Sequence, residues 1–360
     1  AGIHNSNGRL LHRAVAVRLR AALPLLELLL GLTAIFALCV CVGSVSVPLG
    51  DTVSILWNSL WGRPLPSGAS ASIILTVRLP RGLCAALCGA ALSLCGAAMQ
   101  GLLRNPLADG STLGVSSGAA LGAVTALAFG VAVPGLPYAG TMGMAMLFAF
   151  LSLGIILTLA YVLDKSFSTY SIILIGMIFS MFASSLISLV IAFAGEKIKS
   201  ITFWTMGSLS GSTLPDAAIL GGTLLCCGGI ILLMGRELNA FALGEDNAQH
   251  VGVNVRRVKL TLLSAVSILI GVCVSIGGTI GFVGLVTPHI ARMVTGPNHR
   301  RLLPASLLMG AAFLMLADLA ARTIFSPIEL PVGVVTSLAG SVVFVVIFYR
   351  SRKAAGHADS

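Results

Sequence analysis

The sequence predicts an all-α polytopic membrane protein of about ten spanning helices, and three observations carry that expectation. Of its 360 residues 57% are hydrophobic and 9% charged, with a mean hydropathy of +1.01. A water-exposed surface needs far more charge than that. The charges that do occur are separated by apolar runs of about twenty residues or more, the length that crosses the hydrocarbon of a bilayer. Finally, the basic residues gather on alternate connections. The net charge of +10 therefore reads as topology, not as affinity for nucleic acid.

Taken in order, the first span runs from about Pro24 to Val47. Residues 1–23, with Arg9, Arg13, Arg18 and Arg20, precede it as a cytoplasmic segment. No cleavable signal is evident, because the apolar run continues to spanning length without a small-residue cleavage site. A polar stretch from Asp51 to Thr76 carries Trp57 and Trp61, which suit a membrane interface. The second span is Arg78–Leu103. No charge occurs between Asp109 and Asp164, too long a run for one helix, and Pro134 and Pro137 divide it into Thr112–Val131 and Tyr138–Leu163. Thr169–Ala194 and Asp216–Gly235 are the fifth and sixth spans. Lys259–Ile276 is the seventh, ended by Gly277, Gly278 and Gly281. A short eighth, Phe282–Val294, is followed by Leu302–Arg322 and Val332–Tyr349. All of this makes a single transmembrane domain over residues 24–350, with 351–360 as a tail.

Orientation follows from the cations. With the N-terminus inside, the inner segments hold Arg9–Arg20, Arg104, Lys165, Arg236–Lys259, Arg292–Arg301 and Arg350–Lys353. The outer ones hold fewer: Arg63, Arg78, Arg81, Lys197, Lys199 and Arg322. The bias puts both termini in the cytoplasm.

Residues 236–259, RELNAFALGEDNAQHVGVNVRRVK, form the longest polar interruption of the second half. Ala240–Ala248 reads as a short helix bearing the acids Glu245 and Asp246. Gly252 gives a turn, and Val253–Lys259 restarts the chain. Such charges and free backbone groups go unpaired in hydrocarbon, so the segment stands outside the membrane as a cytoplasmic knob. It is either an ordinary solvated loop or a surface on which a soluble partner pushes. The eight cysteines all fall in apolar runs. Cys84, Cys88 and Cys95 share a helical face with no His or carboxylate beside them, so they read as small core hydrophobes and not as a metal site.

Some motifs are more specific. Arg78-Leu-Pro-Arg81 opens the second span and GLLRNPLAD, ending at Asp109, closes it. Leu113–Ala119 (LGVSSGA) begins the third, where Gly114, Gly118 and Gly122 leave one helix face bare for close packing. These stretches, with ALGEDNAQHVGVN, GFVGLVTPHIARMVTGPNHRRLLPASLLMGAAFLMLADLAART and ELPVGVVTSLAG, resemble the permease subunits of the iron-siderophore, haem and vitamin B12 family of ABC importers. The likeness covers about Arg78 to Arg350. Gly110 departs from it, since the family often has proline there.

The resemblance implies a ten-helix permease domain over 24–350 that pairs with a second copy or a homologue around a central path. It also implies a cytoplasmic ATPase dimer below, a substrate-binding protein outside, and the bacterial inner membrane as location. The chain has no G-x-x-x-x-G-K-[ST] phosphate loop. It is therefore expected to be a transport subunit and not an enzyme, with ATP and Mg on the partner and no cofactor or metal of its own. A ferric siderophore is the expected cargo, with haem or cobalamin as alternatives.

By the same resemblance, Ala242, Leu243, Gly244, Glu245, Asp246 and Gly252 couple to the ATPase. Asn105 and Leu107, and Ser168 and Thr169, form the cytoplasmic gate. Arg78, Arg81 and Arg322 receive acids of the binding protein, a role suited to the guanidinium fork; lipid snorkelling is their alternative. Ser180, Ser184 and Ser188 recur at i, i+4, i+8 in the fifth span. They either line the path or bond to their own preceding turn. Asp318, an acid within the ninth span, is read as an ion-pair partner of Arg322 at i+4. The rival is a proton site of a secondary transporter.

Overall fold

A computed structural model describes residues 24–66, 68–135 and 139–356. The expected segment 1–23 and the end of the tail lie outside the described residues, as does Tyr138, where the fourth span was expected to begin. The described chain is helical, with no β-strand. Its helices are α1 (Pro24–Cys41), α2 (Leu49–Leu60), α3 (Ala69–Leu103), α4 (Val115–Phe129) and α5 (Ala139–Leu163). Then come α6 (Thr169–Phe193), α7 (Ile198–Thr205), α8 (Leu214–Leu233), α9 (Gly235–Phe241) and α10 (Glu245–His250). The last are α11 (Val255–Gly277), α12 (Val283–Thr295), α13 (His299–Thr323) and α14 (Val332–Gly356).

Every apolar segment expected to span is helical. Seven are long and apolar enough to cross a membrane: α1, α3, α5, α6, α8, α11 and α13. α4 and the apolar part of α14, Val332–Ile347, are shorter. So is α12, which carries Pro288 in its interior.

Two local features were not legible in composition. α3 begins well before Arg78, because Ile73–Arg78 continues as a π-helical turn into the α-helix. The polar stretch before it also holds α2, whose Trp57 and Trp61 rings lie 5.8 Å apart and are both exposed.

α3 and α11 form the interior, with most of their residues buried, while most residues of α5, α6 and α8 are at least partly exposed. α3 packs along α13 and crosses α12, and α4 lies on α5 and α6. Glycine makes these crossings close. A Cβ on Gly96 would strike the Gly284 carbonyl of α12, and one on Gly310 of α13 would strike Gly89 and Ser93 of α3. On α4, Gly118 and Gly122 sit against Ser152, Phe148 and Met144 of α5; the bare face packs helix on helix as small residues permit. Cys84, Cys88 and Cys95 are buried, as are Cys39 and Cys273, while Cys226 is exposed on α8.

Candidate functional site

The knob is built from two short helices and two glycine turns. The expected single helix Ala240–Ala248 is not observed. α9 ends at Phe241, and Gly244, at φ +111°, separates it from α10. A β-carbon is strained in that backbone region. α10 ends on a second turn at Gly252, φ +89°, and Asn254 then caps α11 by accepting the Arg257 N–H at 3.0 Å. Phe241 and Ala248 are buried and fix the knob to the protein. Ala242, Leu243, Asp246, Val251 and Gly252 face outward.

Glu245 does not face outward with Asp246, as a docking pair would require. Its carboxylate accepts hydrogen bonds from Thr169 Oγ1 at 2.7 Å and from Lys259 Nζ at 2.7 Å. Burial pushes the Glu245 carboxyl up. The hydrogen bonds from Lys259 and Thr169 and the nearby charges of Lys259 and Arg104 outweigh this, so it lies below the ordinary glutamate value. Lys259 Nζ also donates to the Phe167 carbonyl at 2.9 Å.

The two turns expected to gate the path have distinct local architecture. α3 ends with Arg104 in the left-handed region, φ +50°, and Asn105 Oδ1 accepts the Leu107 N–H at 2.9 Å. This closes an Asx turn, with Asn105 and Leu107 both exposed. The Arg104 guanidinium lies against Gly244 of the knob. At the other turn, Ser168 caps α6 by accepting the Ser171 N–H at 3.3 Å. Asp164 accepts from Ser166 N–H, Ser168 N–H and the Ser171 hydroxyl at 2.9, 3.1 and 2.7 Å. Hydrogen bonds from Ser166, Ser168 and Ser171 hold the Asp164 carboxyl well below the usual range.

A cavity of about 350 Å³ lies among α3, α4, α6, α7, α11 and the Thr279–Gly284 segment. Asp109, Ser116, Ser117, Ser184, Thr205 and Thr279 supply its polar lining, with Leu92, Ile187 and Ile270 among the apolar part. Of the serine stripe, Ser184 reaches this lining. Ser180 is half-buried outside it, and Ser188 is exposed and bonds back to the Ser184 carbonyl at 3.0 Å, the local alternative. Ser116 and Ser117 escaped the sequence reading although they stand in the quoted LGVSSGA motif. The signal was there: adjacent serines follow Gly114, whose φ of +80° starts the helix. Among the described residues no group of three His, Cys, Asp or Glu side chains is placed to hold a metal.

The three outer arginines are not presented at a surface. Arg78, Arg81 and Arg322 are all buried, which corrects the expectation that they stand ready for a binding protein's acids. Arg78 donates to the carbonyls of Val40, Cys41 and Val45 at the end of α1. Arg81 Nε donates to both Asp318 oxygens at 2.9 and 3.1 Å, and its Nη1 donates to Glu329 at 2.8 Å. Arg322 donates to the Cys39 carbonyl at 2.6 Å and approaches Asp318 at 3.7 Å. Their guanidinium groups bind α1, α3 and α13 together, so they are neither lipid anchors nor free docking forks. Asp318 is a structural ion-pair residue as expected, but with Arg81 as its nearer partner. It is not part of the cavity lining.

A bundle of apolar helices with a polar interior cavity and an exposed, glycine-hinged knob defines a multi-pass membrane transport subunit. The description FecCD transport family matches residues 30–350, and the chain belongs to that family. It is 43% identical over 314 residues to the uncharacterized ABC transporter permease protein YvrB of Bacillus subtilis (strain 168), covering 86% of this chain and 89% of that one. It is 36% identical to the hemin transport system permease protein HmuU of Yersinia pestis, covering 91% and 97%. A solved chain from an inward-facing ABC transporter assigned to the metal-chelate type superposes with a TM-score of 0.79 at 33% identity, covering 91% of this chain and 98% of that chain.

Proposed function

We propose that this chain is the membrane subunit of an ATP-driven importer that moves a metal chelate into the cell, most simply a ferric siderophore, with both termini cytoplasmic. In this reading a second copy or a homologue completes the path, two ATPase subunits dock on the knob, and a binding protein delivers cargo from outside. ATP and Mg belong to the ATPase. Leu243, Asp246 and the Gly244 and Gly252 turns form the docking face, while Asn105, Leu107, Ser168 and Thr169 form the gate.

The observation that carries the reading is the knob. It is an exposed helix–glycine–helix whose inner side is hydrogen-bonded to the turn that starts α6, so a force on it reaches a spanning helix that lines the cavity through Ser184. The lining suits a bulky chelate. Hydroxyls and apolar groups surround the cavity with a single carboxylate, which permits passage without the tight hold of a metal cage. Haem and cobalamin meet the same surface on similar terms. The placement of Asp318 favours ATP over a proton gradient, since it is locked between arginines away from the cavity.

Replacing residues 244–252 by a flexible glycine–serine linker tests the reading. The permease is expected to stay folded, while ATP hydrolysis in the reconstituted complex no longer drives uptake. Normal ATPase assembly and uptake by that variant would defeat the proposal.

A further inference from the structure

We infer that Lys259 is a positioning residue that locks the cytoplasmic knob to the start of α6, so that knob and gate turn move as one body. The inference rests on the reading above that the knob takes the ATPase and that Ser168–Thr169 gates the path.

Three chain segments meet at this ammonium group. Lys259 stands near the start of α11, Glu245 is the first residue of α10, and Phe167 and Thr169 flank the entry to α6. Lys259 is 1% exposed. Burying an ammonium group there is unfavourable unless its protons find acceptors. Two of its three donors are taken, one by Glu245 and one by the Phe167 carbonyl. A methionine could fill the same volume without any desolvation penalty, so packing alone gives no reason for a charge here. What the charge adds is direction and register: a carboxylate from one segment and a carbonyl from another must both point at one nitrogen.

The backbone supports the same reading. Phe167 holds φ +57°, an uncommon region for a bulky residue, and its ring is buried. That conformation is over-determined by the Asp164 turn, whose carboxylate holds Ser166, Ser168 and Ser171. The turn is thus internally rigid on one side and clasped to the knob on the other. The second Glu245 oxygen takes the Thr169 hydroxyl, which makes Thr169 both the gate position and the point where the knob is attached. Rigid elements joined in this way carry displacement between sites without needing a continuous wire of contacts.

The test uses the full complex in lipid nanodiscs, with a spin label on Tyr170→Cys in each copy and Cys226→Ser to remove an exposed native thiol. Tyr170 is 75% exposed and adjoins the clasp. The label-to-label distance is read without nucleotide and with ATP plus vanadate. With the clasp intact, a nucleotide-dependent shift is expected. Thr169→Val, which keeps shape and removes the hydroxyl, and Lys259→Met should each reduce that shift about twofold or more, whereas Thr169→Ser retains it. A role confined to stability would lower Tm in these variants and leave the shift whole. Full shifts in both Thr169→Val and Lys259→Met overturn the inference. Should Lys259→Met fail to fold, Glu245→Gln, which keeps shape and removes the charge that Lys259 holds, decides in its place. Absence of any shift in the parent complex defeats the ATP-driven reading itself, and the clasp's role falls with it.

Discussion

Arg81→Met is expected to destabilise the protein by about 3–5 kcal/mol, the usual effect of removing one partner from a buried ion pair. Arg81 and Asp318 side chains are 5% and 2% exposed. Two hydrogen bonds from one Nε to both carboxylate oxygens hold Asp318, and a third from Nη1 holds Glu329. Without Arg81, Asp318 keeps only a 3.7 Å approach from Arg322, and a buried acid is left facing a gap between α3 and α13 while Glu329 turns to solvent. The double variant Arg81→Met with Asp318→Leu is expected to lose less than the single one, because the stranded charge goes too. Unfolding of the purified protein in detergent against added denaturing surfactant measures both. A single variant within about 1 kcal/mol of the parent, the range of an exposed pair, would show that the network contributes little.

Gly96→Ala and Gly310→Ala are expected to be severe for a different reason. At both positions the new methyl group meets backbone: Gly284 for Gly96, and Gly89 for Gly310. Backbone cannot rotate aside as a flexible side chain does, so α3 must separate from α12 or from α13. Overpacking of this kind costs about 1–3 kcal/mol or more. At Gly310 the separation also strains a polar relay, in which Ser93 donates to the Ser306 carbonyl at 2.6 Å and Thr287 donates to Ser93 at 2.6 Å. Gly143→Ala and Gly154→Ala on α5 are the controls, because nothing lies within 4 Å of the added carbon. They should leave the unfolding midpoint unchanged. Equal effects at all four glycines would show that close approach is not what these crossings require.

The spans were legible because bilayer length and charge spacing act locally along the chain. Each interval bounded by charges or prolines became a helix, and Gly118 and Gly122 announced the contact of α4 with α5, while Gly114 precedes the helix and meets the Gly176 carbonyl of α6. Pairings across sequence were not legible. Arg81 reads as an outer cation when residues are counted along connections, but its partners stand at 318 and 329. No periodicity links those positions. The same holds for Glu245, which beside Asp246 looks like one half of an outward acidic pair until Thr169 and Lys259 turn it inward. Of the serine stripe only Ser184 borders the cavity, for a geometric reason. A spacing of four places hydroxyls on one face, but it does not say which neighbour that face meets, and only Ser184 lies where α4, α7 and α11 leave a space.

On the proposed reading, ATP hydrolysis on a partner docked at the knob, and not an ion gradient, drives transport through this chain. Proteoliposomes holding the permease with and without its ATPase test it most directly, with uptake of a ferric hydroxamate chelate, haem and cobalamin each followed in the presence of binding protein. Substituting Asp318 is the weaker route, since that residue is held by Arg81 and Arg322 and its loss is expected to destabilise the protein for reasons unrelated to protons. At least one of the three cargoes is expected to accumulate when ATP and the ATPase are present, and a protonophore is expected to leave this uptake intact. Uptake that persists without the ATPase and collapses with the protonophore would contradict the proposed reading.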